Sequence, residues 1–351
     1  MSEIPLVITG VGAVSSAGVG VEPLMDAIRC GRRCFQPLPD ALARESGAEW
    51  APATDFRVAD FMPPLKARKF DRCSQFAIAA TGMALQDAGL AVEELDRTRI
   101  GIALGCGFGG ITNSEEFLKG FFSSGAAGLI PMLFPNTVPN APASNASIEH
   151  RLKGPNVTMV QRFCSAESAL LMAQRFIEEG RADVMIVGGV DEITPVILKG
   201  FSALGQLRPG GAGQGFTEGS GILVLERADH AVRRGARIRG SLLKVATIGL
   251  LPSGREQEGL SRILAGVSDP ELELVSLSGV AAGRPELAGF YPRTPRLDTG
   301  ALLGRSLAMG GIAMTAHLLT LAPGAIGVHV AASPEGPWFA VTFQGALLSR
   351  D

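Results

Sequence analysis

Thr158-Met-Val-Gln-Arg-Phe-Cys164-Ser-Ala-Glu-Ser-Ala169 is the stretch that decides the fold. Thr158 to Phe163 reads as a short strand, and Ser165 onward opens a helix of small residues. A thiol at such a junction points out of the sheet, and the first turn of a helix favours its ionised form. That is the arrangement of a nucleophile elbow, and it predicts a strand–turn–helix unit inside a layered α/β protein. A buried cysteine is also ordinary core filler, so the thiol alone does not make a site.

The same alternation runs outward in both directions. Leu6 to Thr9 reads as a buried strand followed by a Gly10/Gly12 turn, and Pro23 to Arg29 as a helix. Glu45 to Pro64 reads as an irregular surface segment. Ser74 to Ala88 carries apolar residues at helical spacing and is closed by Gly89. Strands are expected at Ile100–Leu104, Val184–Val187, Ile222–Leu225, Leu242–Ile248, Leu272–Leu277, Ile326–Ala331 and Trp338–Phe343. Helices are expected at 140–151, 165–179, 256–265 and 309–321. The charged region Glu226 to Arg239 divides the chain into residues 1–240 and 241–351.

The chain has 351 residues, 46% hydrophobic and 19% charged, so it can bury a large core. A formal net charge of −2 with no basic block gives nucleic-acid binding no support. No apolar run is long enough to span a bilayer, and the N-terminus lacks a basic region followed by a long apolar stretch. Five cysteines, odd in number and without CxxC spacing, read as reduced thiols in a cytoplasmic protein. Cys30 and Cys34 have no histidine or acidic cluster beside them, and no metal site is expected. Gly105-x-Gly107-x-x-Gly110 follows a strand, but no acid lies about twenty residues on, where a ribose-binding acid would sit. It therefore reads as a strand-exit turn.

Several segments, in order, resemble the β-ketoacyl synthases of the thiolase superfamily. They are Val7-Ile-Thr-Gly-Val-Gly-Ala-Val14, Ala79-Ala-Thr-Gly-Met-Ala-Leu-Gln-Asp-Ala-Gly89, Pro135-Asn-Thr-Val138 and Leu152-Lys-Gly-Pro-Asn156. They continue through Cys164-Ser-Ala166, Ala182-Asp-Val-Met-Ile-Val-Gly-Gly189, Arg208-Pro209 and Gly215-Phe-Thr-Glu-Gly-Ser-Gly221. The resemblance implies a five-layer αβαβα sandwich of two related halves, the second shortened. It implies a dimer paired through the strand before the nucleophile, and acyl groups carried on the phosphopantetheine arm of an acyl carrier protein, with no other cofactor. Cys164 would hold the nucleophile position.

The second half departs from the pattern. Val275-Ser-Leu-Ser-Gly-Val-Ala-Ala282 places Ser278 where the family has one histidine. Gly304-Arg-Ser-Leu-Ala-Met-Gly-Gly311 places Arg305 where it has the other, with no lysine in the preceding turn. The chain has four histidines, His150, His230, His317 and His329, each with a mundane place in a helix or strand. Ala331-Ala-Ser-Pro-Glu-Gly-Pro337 replaces the family's glycine-rich loop, and its prolines offer no N–H. Arginine is a permanent cation and cannot exchange protons as histidine does.

Condensation by this chain alone is therefore not expected. The leading expectation is a subunit that resembles the chain-length factors of type II polyketide or aryl-polyene-type synthases. It would pair with an active ketosynthase as a heterodimer and shape the acyl tunnel, although many such factors have glutamine where Cys164 stands; a homodimer stays open. The alternatives are a Cys164-dependent acyltransferase or thioesterase-like enzyme, and a plain acyl-chain binding module.

Overall fold

The computed structural model describes residues 4–38, 49–205, 215–250, 254–334 and 336–347. Arg208-Pro209, part of the family-like series, lies outside the described residues, as do Glu45 to Ala48 of the expected surface segment. Two sets of five strands build the core. The first is β1 (Leu6–Ser15), β2 (Ile100–Cys106), β3 (Asn156–Met159), β4 (Val184–Asp191) and β5 (Gly219–Arg227). The second is β6 (Gly240–Ile248), β7 (Leu272–Gly279), β8 (Arg296–Asp298), β9 (Ile326–Ala332) and β10 (Trp338–Gly345).

The spatial order is β8-β7-β9-β10-β6-β1-β5-β4-β2-β3, so each set repeats the other's order about the β6/β1 junction. The pairing senses repeat too. In each half the strand pairs farthest from the junction are parallel, β2 with β3 and β4, and β7 with β8 and β9. The pairs nearest it are antiparallel, β1–β5–β4 and β6–β10–β9. This is a duplicated fold. The halves meet edge to edge where Leu6, Val7 and Ile8 pair with Leu242, Ser241 and Gly240.

Four helices complete the layers: α1 (Arg72–Asp87), α2 (Ser165–Glu178), α3 (Glu256–Ile263) and α4 (Gly310–Thr320). α1 covers the outer face of the first half, and α3 that of the second. α2 and α4 lie between the halves, and α4 touches strands of both. The result is the five-layer αβαβα sandwich. Its central core joins Leu170, Ala173 and Met185 of the first half to Met314, Leu318, Val341 and Phe343 of the second.

Small residues set the spacing. A side chain at Gly221 in β5 would put a Cβ 2.2 Å from the Ile312 backbone nitrogen in α4. A Cβ at Gly189 in β4 would stand 1.8 Å from the Ala308 carbonyl oxygen. Gly10 and Gly12 work the same way from the other face, since Cβ atoms there would fall 2.3 Å and 2.2 Å from carbonyl oxygens of α1. The expected turn at Gly10/Gly12 is therefore a continuation of β1 to Ser15, with a register shift between Ile8 and Gly10. The expected surface segment before Pro64 also differs, because Ala53 and Phe56 are buried in the core with α1, and Ala51 is buried beside Thr217.

Two buried acids stand at the end of β4, and the first ties the halves together. Asp191 accepts hydrogen bonds from Gly107 N at 2.8 Å, Ser306 Oγ at 2.7 Å and Ala308 N at 2.6 Å. Burial pushes its carboxyl up to about 6, with those donors working against the rise. The neighbouring Glu192 accepts from Thr112 N at 3.0 Å and Cys73 N at 3.3 Å, and burial raises it to about 7.

Two outcomes follow from this packing. Gly221→Ala should cost about 3 kcal/mol, at the upper end for overpacking because the clash is with backbone. Gly283→Ala, where an added Cβ meets nothing within 4 Å, should be close to neutral in the same chemical-denaturation experiment. The raised acids predict a pH dependence of definite sign. The fold favours their neutral forms, so stability is fully present below the unfolded values (3.8 and 4.5) and declines as pH rises to about 7. For Glu192 the drop is on the order of 3 kcal/mol. The denaturation midpoint should fall between pH 5 and 7.5, and Glu192→Gln should flatten that slope.

Candidate functional site

The strand before Cys164 is shorter than expected. β3 ends at Met159, and Arg162 to Cys164 forms one 3-10 turn entered through Arg162 at φ 53°. Cys164 then caps the N-terminus of α2. Gly105 explains the close seating of this turn, since a Cβ there would lie 2.3 Å from the Ser165 carbonyl carbon. The glycine pattern Gly105/Gly107/Gly110 is thus spent on protein contacts: α2, Asp191 and the Asn136 backbone.

Cys164 is fully buried and packs against Ala331 and Phe339 of the second half. Its Sγ donates to the Pro337 carbonyl oxygen at 3.4 Å. An acyl-transfer centre needs N–H donors aimed at the oxygen that becomes negative. Here the loop after β9 presents a carbonyl oxygen to the sulfur, the opposite polarity.

Ser278 and Arg305 come together beside the Cys164 turn, which packs on the strand of Ser278. Both line one narrow cleft with Thr299, Gly300, Ser306 and Gly310, and Cys164 is not among its lining residues. The cleft has room for about one water, ≈ 20 Å³. Arg305 is ion-paired with Asp298 at 2.5 Å, both partly exposed. Asp298 also caps the short helix Thr299–Leu303 that forms one wall.

None of the four histidines lines this cleft. His150 sits behind α1, with its Nε2 2.9 Å from the Ile78 carbonyl, and burial lowers its pKa. His230 pairs with the buried Glu226 at 2.5 Å on the far side of the first half. His317, fully buried in α4, is pushed down to about 3 by burial and by His329. His329 is fully buried in β9 between Ser276, Ser278 and a residue the sequence reading passed over, Glu167.

Glu167, in the first turn of α2, has no exposed surface. Its Oε1 accepts from Ser278 Oγ at 2.7 Å and lies 2.9 Å from His329 Nε2. Ser276 Oγ lies 2.8 Å from the other ring nitrogen of His329. An acid early in a helix ordinarily reads as a solvated residue favoured by the helix dipole. The available signal was the pairing of Ser276 and Ser278, two apart on one strand face, with a histidine on the neighbouring strand.

Among the described residues no cluster of histidine, cysteine and acids fits a metal, and no helix is long and apolar enough to cross a membrane.

The family model for the β-ketoacyl synthase N-terminal domain matches residues 3–231. The 3-oxoacyl-[acyl-carrier-protein] synthase 2 of Vibrio harveyi is 30% identical over 331 residues, covering 88% of this chain and 78% of that protein. The ishigamide ketosynthase/chain length factor superposes with a TM-score of 0.83 at 22% identity, covering 97% of this chain and 99% of that one. A type II polyketide acyl-carrier protein solved in complex with its ketosynthase gives 0.80 at 20% identity, over 97% of this chain and 99% of the matched one. With the duplicated five-layer sandwich and the ordered motifs, these matches place the chain in the β-ketoacyl synthase family, whose thiolase-like fold serves fatty acid and polyketide elongation.

Proposed function

We propose that this chain is a non-condensing subunit of the chain-length-factor type. It pairs with an active ketosynthase and shapes the acyl tunnel while the partner elongates chains on acyl carrier protein. The observation that carries this reading is that the groups at the family's catalytic positions are each engaged by the protein itself. Cys164 donates to the Pro337 carbonyl, Ser278 donates to Glu167, and Arg305 pairs with Asp298. In this reading Cys164 keeps the nucleophile position, and Ser278 and Arg305 stand where the family has its two histidines. Acyl groups arrive on the phosphopantetheine arm, and no other cofactor takes part.

The surface supports pairing. β3 is the edge strand of the sheet, with its outer side open to a partner strand. The helix Ala141–Glu149 packs on both β3 and the turn Pro131–Asn136, and that turn packs on the helix Ile111–Ser124. Phe122, Met132 and Phe134 on these two elements are each more than 60% exposed. An apolar face of that kind beside an open strand edge fits a protein partner. The same surface serves a heterodimer or a homodimer. The solved ketosynthase/chain-length-factor relative favours the heterodimer.

The test is intact-mass spectrometry after exposure to acyl-loaded carrier protein, with wild type and Cys164→Ala each co-expressed with the ketosynthase of the same system. The expected result is an acyl adduct on the ketosynthase and none on this chain, with product length unchanged by Cys164→Ala. An adduct on the wild-type chain that Cys164→Ala abolishes would instead establish the acyltransferase alternative, which the thiol's place at the start of α2 keeps in play.

A further inference from the structure

Glu167 has a second oxygen with no explanation in the network described above. Its Oε2 is buried and has no hydrogen-bond partner. The carboxyl group lies against the first turn of α4: a Cβ added at Gly310 would fall 2.1 Å from Oε1 and 2.7 Å from Oε2. Gly310 and Ser278 also line the narrow cleft. The acid head therefore lies behind the wall of that cleft formed by Ser278 and Gly310, at the start of an eleven-residue helix. It is held there by the Ser278 hydroxyl and the His329 ring.

Those surroundings describe a small-anion site. The start of a helix favours negative charge, and the hydroxyl and ring N–H supply directed donors. Ser276 fixes the His329 ring from its other side. Burying an acid side chain completely is costly unless the surroundings are built for it. Glu167, Ser276 and His329 are all fully buried.

We propose that the pocket at Ser278, His329 and Gly310 is a carboxylate-binding site that the chain fills with its own Glu167. The tethered acid occupies the place a ligand's carboxylate would take, so an acyl group bearing a free carboxylate finds the site already filled. This deepens the non-condensing reading and gives it a cause separate from the missing histidines. Its test uses the purified single chain, so it can fail while the pairing with a ketosynthase stands, and the reverse.

Glu167→Ala removes a fragment close to acetate in size and shape and leaves the donors in place. Thermal unfolding of wild type, Glu167→Ala and the double variant Glu167→Ala/Ser278→Ala would be followed in sodium acetate, in sodium chloride at equal ionic strength, and in acetamide. Acetate should stabilise Glu167→Ala beyond chloride in a saturable way, by about 2 °C at ten times its Kd. Wild type should show no acetate-specific shift, acetamide should do nothing, and the double variant should lose most of the response. Equal effects of acetate and chloride on Glu167→Ala would overturn the proposal, as would an acetate-specific shift in wild type. If Glu167→Ala accumulates unfolded, refolding yield decides the matter: recovery in acetate but not in acetamide or chloride supports the site, and equal recovery or none refutes it.

Discussion

The close approach of α4 to the first-half sheet is the constraint on which the rest depends. α4 belongs to the second half by sequence, yet its first turn rests on Gly221 and Gly189 with no room for a methyl group. That contact sets the thickness of the central layer, and therefore how deep the Ser278 cleft lies and where Glu167 meets Gly310. The hydrophobic core on either side fills the remaining space with Met314, Leu318 and Phe343. Asp191 fixes the register of the approach by binding Ser306 and Ala308 just before the helix begins. Burying that acid is tolerable because three donors converge on it.

Within this frame the polar groups of the centre are turned inward. Ser278 spends its hydroxyl on Glu167, Arg305 spends its charge on Asp298, and Cys164 spends its S–H on a backbone carbonyl. Each is satisfied by the protein itself, which is how buried polar groups lower their cost. A catalytic centre does the reverse, holding donors ready for charge that appears only during reaction. The same residues that look like relics of chemistry in the sequence are, in three dimensions, each bonded to another group of the protein.

Much of the architecture was legible because strand and helix periods are strong signals. The strands from Val184, Leu272, Ile326 and Trp338 and the helices after Ser165 and around Met314 stand where periodicity puts them. Glycine misled at Gly10 and Gly12, and also at Gly188 and Gly189, which continue β4 and do not end it. A glycine forced by a neighbouring helix looks identical in sequence to one that makes a turn. The segment before Cys164 misled for another reason: Arg162 takes a left-handed conformation, which few side chains adopt and no pattern announced. Glu167 was invisible because its partners, Ser278 and His329, lie more than a hundred residues away.

The strand order has a consequence for how the chain is made. β1 is flanked by β5 on one side and β6 on the other, so it waits for residues 219–248 before either long neighbour exists. At ordinary translation speeds that interval is roughly 10–45 s. Throughout it Leu6, Val7, Ile8 and Val11, all buried in the finished fold, have no long strand to join. Nascent β1 is thus an apolar segment in search of a strand edge, and α1, which packs on it in the finished fold, is the first long element able to cover it.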